Sequence, residues 1–140
     1  MNIKKVNCRF YVDEEKKVVV CVIPNTRHTV HNFLKDLPQF DFWGIFYLDS
    51  DNKAIKMPNS FIGKAVCSEQ DEFDVEKGKK LAYLRAKDKF YRSFFKRLNA
   101  VVNLIDKNLQ ELVTTGNTLG VTITENMQKL KDEVADVLGE

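Results

Sequence analysis

From Val75 to about Val113 the chain contains no proline and a single glycine, Gly78. Within that stretch Leu81, Leu84, Asp88, Tyr91, Phe95, Leu98, Val102, Ile105, Leu109 and Leu112 follow one another at alternating steps of three and four. Nine of those ten positions are apolar or aromatic, which is the seam of an amphipathic helix able to pair with another helix over more than four heptads. Such a helix is roughly 55–60 Å long at 1.5 Å per residue. A chain of 140 residues and 16.2 kDa is too small to bury it along its whole length. The uncovered part is therefore expected to pair between chains, making a homo-oligomer through Leu81, Leu84, Tyr91, Phe95, Leu98, Val102 and Ile105.

The first half of the chain has a different period. Val6, Cys8, Phe10 and Val12 alternate with Asn7, Arg9 and Tyr11, as in a half-buried strand. Asp13 to Lys16 reads as a polar reversal, and the β-branched run from Lys17 to Ile23 suits a central strand. Thr29 to Leu37 has helical spacing and Pro38 closes it. Phe40 to Asp49 reads as an aromatic strand, Lys53 to Met57 as its return, and Phe61 to Cys67 as a further strand. Asp74 can cap the long helix. Thr114-Thr115-Gly116-Asn117 reads as a stop, with a second helix from Thr122 or Thr124 carrying Met127, Leu130, Val134 and Val137. The expectation is one domain over residues 1–140. It is an α+β fold: an antiparallel sheet of four to five strands in 1–70, then a helical hairpin with a long first arm in 74–138.

Charge is concentrated on the long helix. Lys77 to Arg97 holds nine basic residues and one acid, Asp88, for a net charge of +8, while the whole chain carries only +2. The remainder therefore carries −6. Arg85, Lys89, Arg92 and Lys96 stand at i, i+4, i+7 and i+11 and share one helical face. An ordinary solvated helix interleaves acids with bases, whereas this one repels itself by a few tenths of a kcal/mol per close pair. Arginine holds phosphate oxygens with two parallel donors. The expected ligand site is thus Arg85, Lys89, Arg92 and Lys96, with Tyr83 and Phe90 as rings on which a base could stack. The competing reading packs Tyr83, Phe90, Phe94, Val101 and Leu104 against the sheet, and Trp43 divides in the same way between core and stacking.

Other chemistry is poorly represented. His28 and His31 could lie on one helical turn, but no third metal ligand stands near them, and no metal or other cofactor is expected. Cys8, Cys21 and Cys67 form no CxxC pair and read as reduced thiols. There is no phosphate loop, no GxGxxG, no HExxH and no GxSxG, so an enzyme is disfavoured. No segment reaches the roughly 18 uninterrupted apolar residues of a membrane span. Residues 1–12 hold Lys4, Lys5 and Arg9 without a following apolar block, unlike a signal peptide.

The segment Gly63-Lys64-Ala65-Val66-Cys67, then Asp71-Glu72-Phe73-Asp74, Gly78, Leu81-Ala82 and Arg85-Ala86 resembles a strand-to-helix element of small phage and prophage proteins. Among these it is similar to the anti-Thoeris family, which sequesters cyclic ADP-ribose isomers and related cyclic nucleotides. The likeness covers about a quarter of the chain, and its residues also read as a cap, a glycine and small residues at a helix contact. It implies a non-catalytic oligomer in the cytoplasm of an infected bacterium, holding a cyclic nucleotide signal to block host defence. No binding residue is carried over from it. The alternative expectation is a nucleic-acid-binding or protein-interaction module that uses the same basic face.

Overall fold

The computed structural model describes residues 3–38 and 51–139. The chain divides into two compact units, Met1–Val101 and Val102–Glu140. The first is an α+β unit with three antiparallel strands: β1 (Arg9–Asp13), β2 (Val18–Pro24) and β3 (Ser60–Val66). Helix α1 (Thr26–Leu34) follows β2, and α2 (Val75–Gly139) follows β3. The part of α2 up to Val101 belongs to the first unit.

The strand order β1-β2-β3 puts the β-branched run in the middle, as its unbroken apolar character demands. Asp13 accepts a 3.0 Å bond from the Lys16 amide in the β1–β2 reversal, and Lys17 takes a left-handed φ of 54° where β2 begins. Register places Arg9, Val22 and Ile62 in one row, then Phe10, Cys21 and Gly63 in the next. Val19, Cys21 and Ile23 are buried on the inner face, with Ala65 beside them. Val30 and Leu34 of α1 and Ala82, Ala86, Phe90, Phe94 and Val101 of α2 complete that core. Phe90 lies edge-on to Phe61 at 5.6 Å and stacks on Phe94 at 6.2 Å.

Two glycines set how closely α2 approaches the sheet. A β-carbon on Gly63 would stand 2.0 Å from the Ala82 carbonyl oxygen and 2.3 Å from the Ala86 nitrogen. One on Gly78 would meet Val19 Cγ2 at 2.8 Å. Small residues therefore bring helix and sheet together along the face Gly78, Ala82, Ala86, with the large Phe90 and Phe94 filling the wider space beyond. Asp74 starts the helix, its carboxylate accepting from the Lys77 amide at 3.2 Å and its carbonyl from Gly78 at 2.9 Å.

Several expectations are corrected. Among the described residues the sheet has three strands, not four to five. Residues 53–55 form a turn, so Lys53 to Met57 is not a strand. Asn52 closes that turn by accepting from the Ile55 amide and from the Ala54 amide through its side chain, while Ile55 and Met57 enter the core. The expected strand Phe40 to Asp49, with Trp43, lies outside the described residues. Lys5–Asn7 is a single 3₁₀ turn that leaves Val6 exposed. The short helix begins at Thr26, three residues earlier than its apolar spacing indicated, because Thr26 is anchored to the 57–59 segment: its hydroxyl donates to Pro58 O at 2.5 Å.

The helical hairpin is replaced by one element, since α2 runs through Thr114-Thr115-Gly116-Asn117 without a break. A glycine stop needs a left-handed residue, and no described glycine has positive φ. Thr118, Thr122 and Thr124 instead return their hydroxyls to the carbonyls of Thr114, Thr118 and Gly120 at 2.9–3.2 Å. Intrinsic propensity opposes this helix: Val113 to Thr124, rich in Thr, Val and Gly, costs about 7 kcal/mol relative to alanine. Helical residues with such propensities are held by burial of an apolar face. In the second unit, however, the apolar residues from Leu109 to Val137 are all exposed.

Candidate anion site on the first unit

The basic residues of α2 divide into those held by the fold and those turned to water. Arg97 is structural: its Nε donates to Lys56 O at 2.7 Å, and its Nη1 reaches the carbonyl and hydroxyl of Ser93. Lys79 lies 3.8 Å from Glu76 and 5.9 Å from the centre of the Phe10 ring. Lys87 stands over the Tyr83 and Tyr91 rings at 5.4 and 6.0 Å.

The expected site residues fare differently from one another. Arg85, Lys89, Arg92 and Lys96 are all exposed on one face of α2. Arg85 donates through Nη1 to Lys64 O at 2.7 Å, closing part of the free edge of β3. Arg92 donates through Nε to Asp88 at 2.8 Å, with both side chains well exposed. This pair contributes little to stability, yet it consumes the single acid of the basic stretch. Phe90 leaves the site: it is 0% exposed and enclosed by Phe61, Tyr91 and Phe94. Tyr83 is half-buried with its hydroxyl donating to Ile3 O, so both proposed stacking rings serve packing first.

The structure adds a residue that helix spacing could not supply. Lys64 on β3 joins Leu84, Arg85, Asp88 and Lys89 around an open hollow of about 400 Å³. The alternation of β3 carries the signal, since Gly63 and Ala65 are buried while Ile62, Lys64 and Val66 are exposed. With Gly63 seated against Ala82 and Ala86, the next residue falls beside Arg85. Three cations from two elements thus surround one hollow. The row continues from Arg85 to Lys96 over about 16 Å by the helical rise.

A larger hollow, about 560 Å³, lies between the end of β3 and the start of α2, lined by Cys67, Asp71, Phe73, Asp74, Lys77 and Leu81 among others. Lys17 donates to the carbonyl of Asp71, one of the lining residues, at 2.8 Å and to that of Glu69 at 3.4 Å. Its walls mix carboxylates, one lysine and apolar carbon, with no convergent cationic set.

Burial pushes the Cys21 thiol up to about 12 and raises Cys8 as well, both away from the thiolate a nucleophile needs. His28 shares a 3.1 Å hydrogen bond with Asn32. Among the described residues no group of three metal-ligating side chains forms, and no helix is long and apolar enough to cross a membrane. Comparison of the chain with protein-family models, with curated proteins and with solved structures finds no match.

Proposed function

We propose that this protein is a non-enzymatic binder of a phosphate-bearing polymer, with single-stranded nucleic acid as the leading ligand. The observation that carries this reading is the exposed cationic row Arg85, Lys89, Arg92 and Lys96, joined by Lys64 from the neighbouring strand. The side-chain ammonium groups of Lys64, Lys89 and Lys96 make no hydrogen bond or ion pair with the described residues, so their charge is available to a ligand. A row of about 16 Å is longer than one diphosphate needs and suits successive phosphates. Arg85 supplies planar guanidinium donors at one end, already oriented by its bond to Lys64 O.

A second reading keeps a cyclic nucleotide as the ligand. The hollow bounded by Lys64, Arg85 and Lys89 falls within the size range of small-ligand sites. The resemblance to sequestering phage proteins supports that choice and, with it, a role against host defence in the bacterial cytoplasm. Burial of Phe90 weighs against it, because the proposed stacking partner is lost. In either reading the protein acts as a homo-oligomer. Leu81, Leu84, Tyr91, Phe95 and Val102 are exposed along α2, with Leu98 and Ile105 partly so, leaving this line available to another chain.

Two titrations on one preparation separate the readings. Fluorescence anisotropy with a labelled single-stranded oligonucleotide is expected to saturate, with affinity falling steeply as salt rises. Calorimetry with cyclic ADP-ribose is expected to show no stoichiometric heat. Tight cyclic-nucleotide binding with no oligonucleotide affinity would reverse the preference, and silence in both would remove the basic face as a site.

A further inference from the structure

We infer that the second unit pairs with a second copy of itself, as a parallel, in-register, two-stranded coiled coil over residues 102–137. The inference deepens the self-association just described by naming the segment, the partner and its direction. Val102, Ile105, Leu109 and Leu112 carry the three-four spacing into this unit. Gly116 takes the next position, and Leu119 and Ile123 follow. The step from Ile123 to Met127 is then four after four, and the regular spacing resumes through Leu130, Val134 and Val137. The line is therefore continuous apart from one small residue and one four-residue stutter.

Leu109, Leu112, Leu119, Ile123 and the four apolar residues after them on this line are 56–69% exposed. Together they hold on the order of 900 Å² in water, against about 800 Å² per partner in a standard stable interface. The line thus offers enough area for one partner of ordinary size. Its helix also has poor intrinsic propensity between Val113 and Thr124, so it depends on a neighbour covering that face. The threonines bond within the helix, leaving the apolar line as the face with unmet demand.

The stutter selects the partner. A four-residue insertion locally unwinds the supercoil, and both helices must do this at the same level. A second copy in parallel register meets that condition throughout: Gly116 lies level with Gly116, and Ile123–Met127 with Ile123–Met127. The core residues indicate two strands. One set of seam positions holds the β-branched Val102, Ile123 and Val134 with Leu109, Gly116 and Met127, and the other holds Leu112, Leu119 and Leu130 with Ile105 and Val137. β-Branched residues lead the first set and leucines the second, the combination that favours dimers.

The test uses the full chain. Sedimentation equilibrium at micromolar concentration should give twice the 16.2 kDa chain mass. Val137→Cys and Leu112→Cys, oxidised separately and mapped by peptide mass spectrometry, should each form a disulfide to the same position in the second copy. The double variant Leu119→Glu/Ile123→Glu should sediment as a monomer, whether or not its second unit stays helical. A monomeric wild-type chain would overturn the inference. So would a dimer that survives the double variant, or a dimer without the 137–137 disulfide, which signals antiparallel pairing. Oligonucleotide binding by the double variant, measured alongside, keeps this outcome separate from that of the basic face. A wild-type chain that is monomeric yet still binds leaves the anion reading standing while defeating the coiled coil.

Discussion

Replacing Gly63 by alanine adds one methyl group, and the structure specifies what that methyl would strike. Its carbon would sit 2.0 Å from Ala82 O, 2.3 Å from Ala86 N and 2.9 Å from Ala86 Cα. All three are backbone atoms of α2, so no side-chain rotation relieves the clash. Restoring an ordinary contact of 3.4 Å requires strand and helix to separate by more than 1 Å, which loosens Ala82, Ala86 and Phe90 from the core. Overpacking usually costs about 1–3 kcal/mol. A rigid backbone obstacle puts this variant near the top of that range, at about 3 kcal/mol. The reduced entropy of the unfolded chain offsets only about 0.4–1 kcal/mol. For a unit of this size about 3 kcal/mol lowers Tm by roughly 12–24 °C. Differential scanning calorimetry reads this directly. Gly116→Ala and Gly120→Ala supply the contrast, since nothing lies within 4 Å of an added β-carbon at either. There the same substitution should stabilise the helix by about 0.5–1 kcal/mol. A Gly63→Ala chain melting within 2 °C of wild type would refute the close helix–sheet approach on which the fold is built.

Further predictions follow from the same packing and chemistry. Asp74→Ala removes the side-chain cap on the Lys77 amide and should cost about 1 kcal/mol in urea denaturation, with Asp74→Asn losing much less. Cys21 has its folded pKa raised above that of the unfolded chain, so its contribution is intact below about pH 9 and declines as pH rises toward about 12. By pH 10 the loss from this one thiol is on the order of 1 kcal/mol, and Cys21→Ala, though less stable overall, should show a correspondingly flatter alkaline decline. Thr26→Val should cost about 1–3 kcal/mol, because it removes the buried hydroxyl that ties α1 to Pro58 O and leaves that carbonyl short of a donor.

How far these features can be read from residues alone depends on whether they are written in side-chain period or in backbone proximity. The β1–β2 hairpin, the central place of β2, strand β3 and the Asp74 cap all follow from alternation, β-branching and a capping carboxylate. The face that α2 buries does not. Its contact with the sheet runs through Gly78, Ala82 and Ala86, residues too small to register as an apolar stripe, while the conspicuous leucines at 81 and 84 face water. Tyr83 and Phe90 were candidates for stacking because aromatic rings beside cations fit either role; only the helix–sheet crossing decides, and it sends Phe90 inward. Thr114 to Asn117 has the composition of a turn, but a turn needs a left-handed residue as well. Lys64 was hidden because its partnership with Arg85 crosses from strand to helix, at a register set by Gly63.

The most direct test of the central claim compares the wild-type chain with Lys64→Gln/Lys89→Gln in oligonucleotide anisotropy across a salt series. Neither lysine side chain bonds to the described residues, and the Lys64 carbonyl that holds Arg85 is unchanged by the substitution, so the variant should keep its melting temperature and its oligomer mass. If both meet phosphates, the slope of log affinity against log salt should shrink in magnitude by about 1.4, and affinity at low salt should fall at least tenfold. An unchanged slope and affinity in a folded double variant would contradict the account and leave the basic face of α2 as a solvated surface.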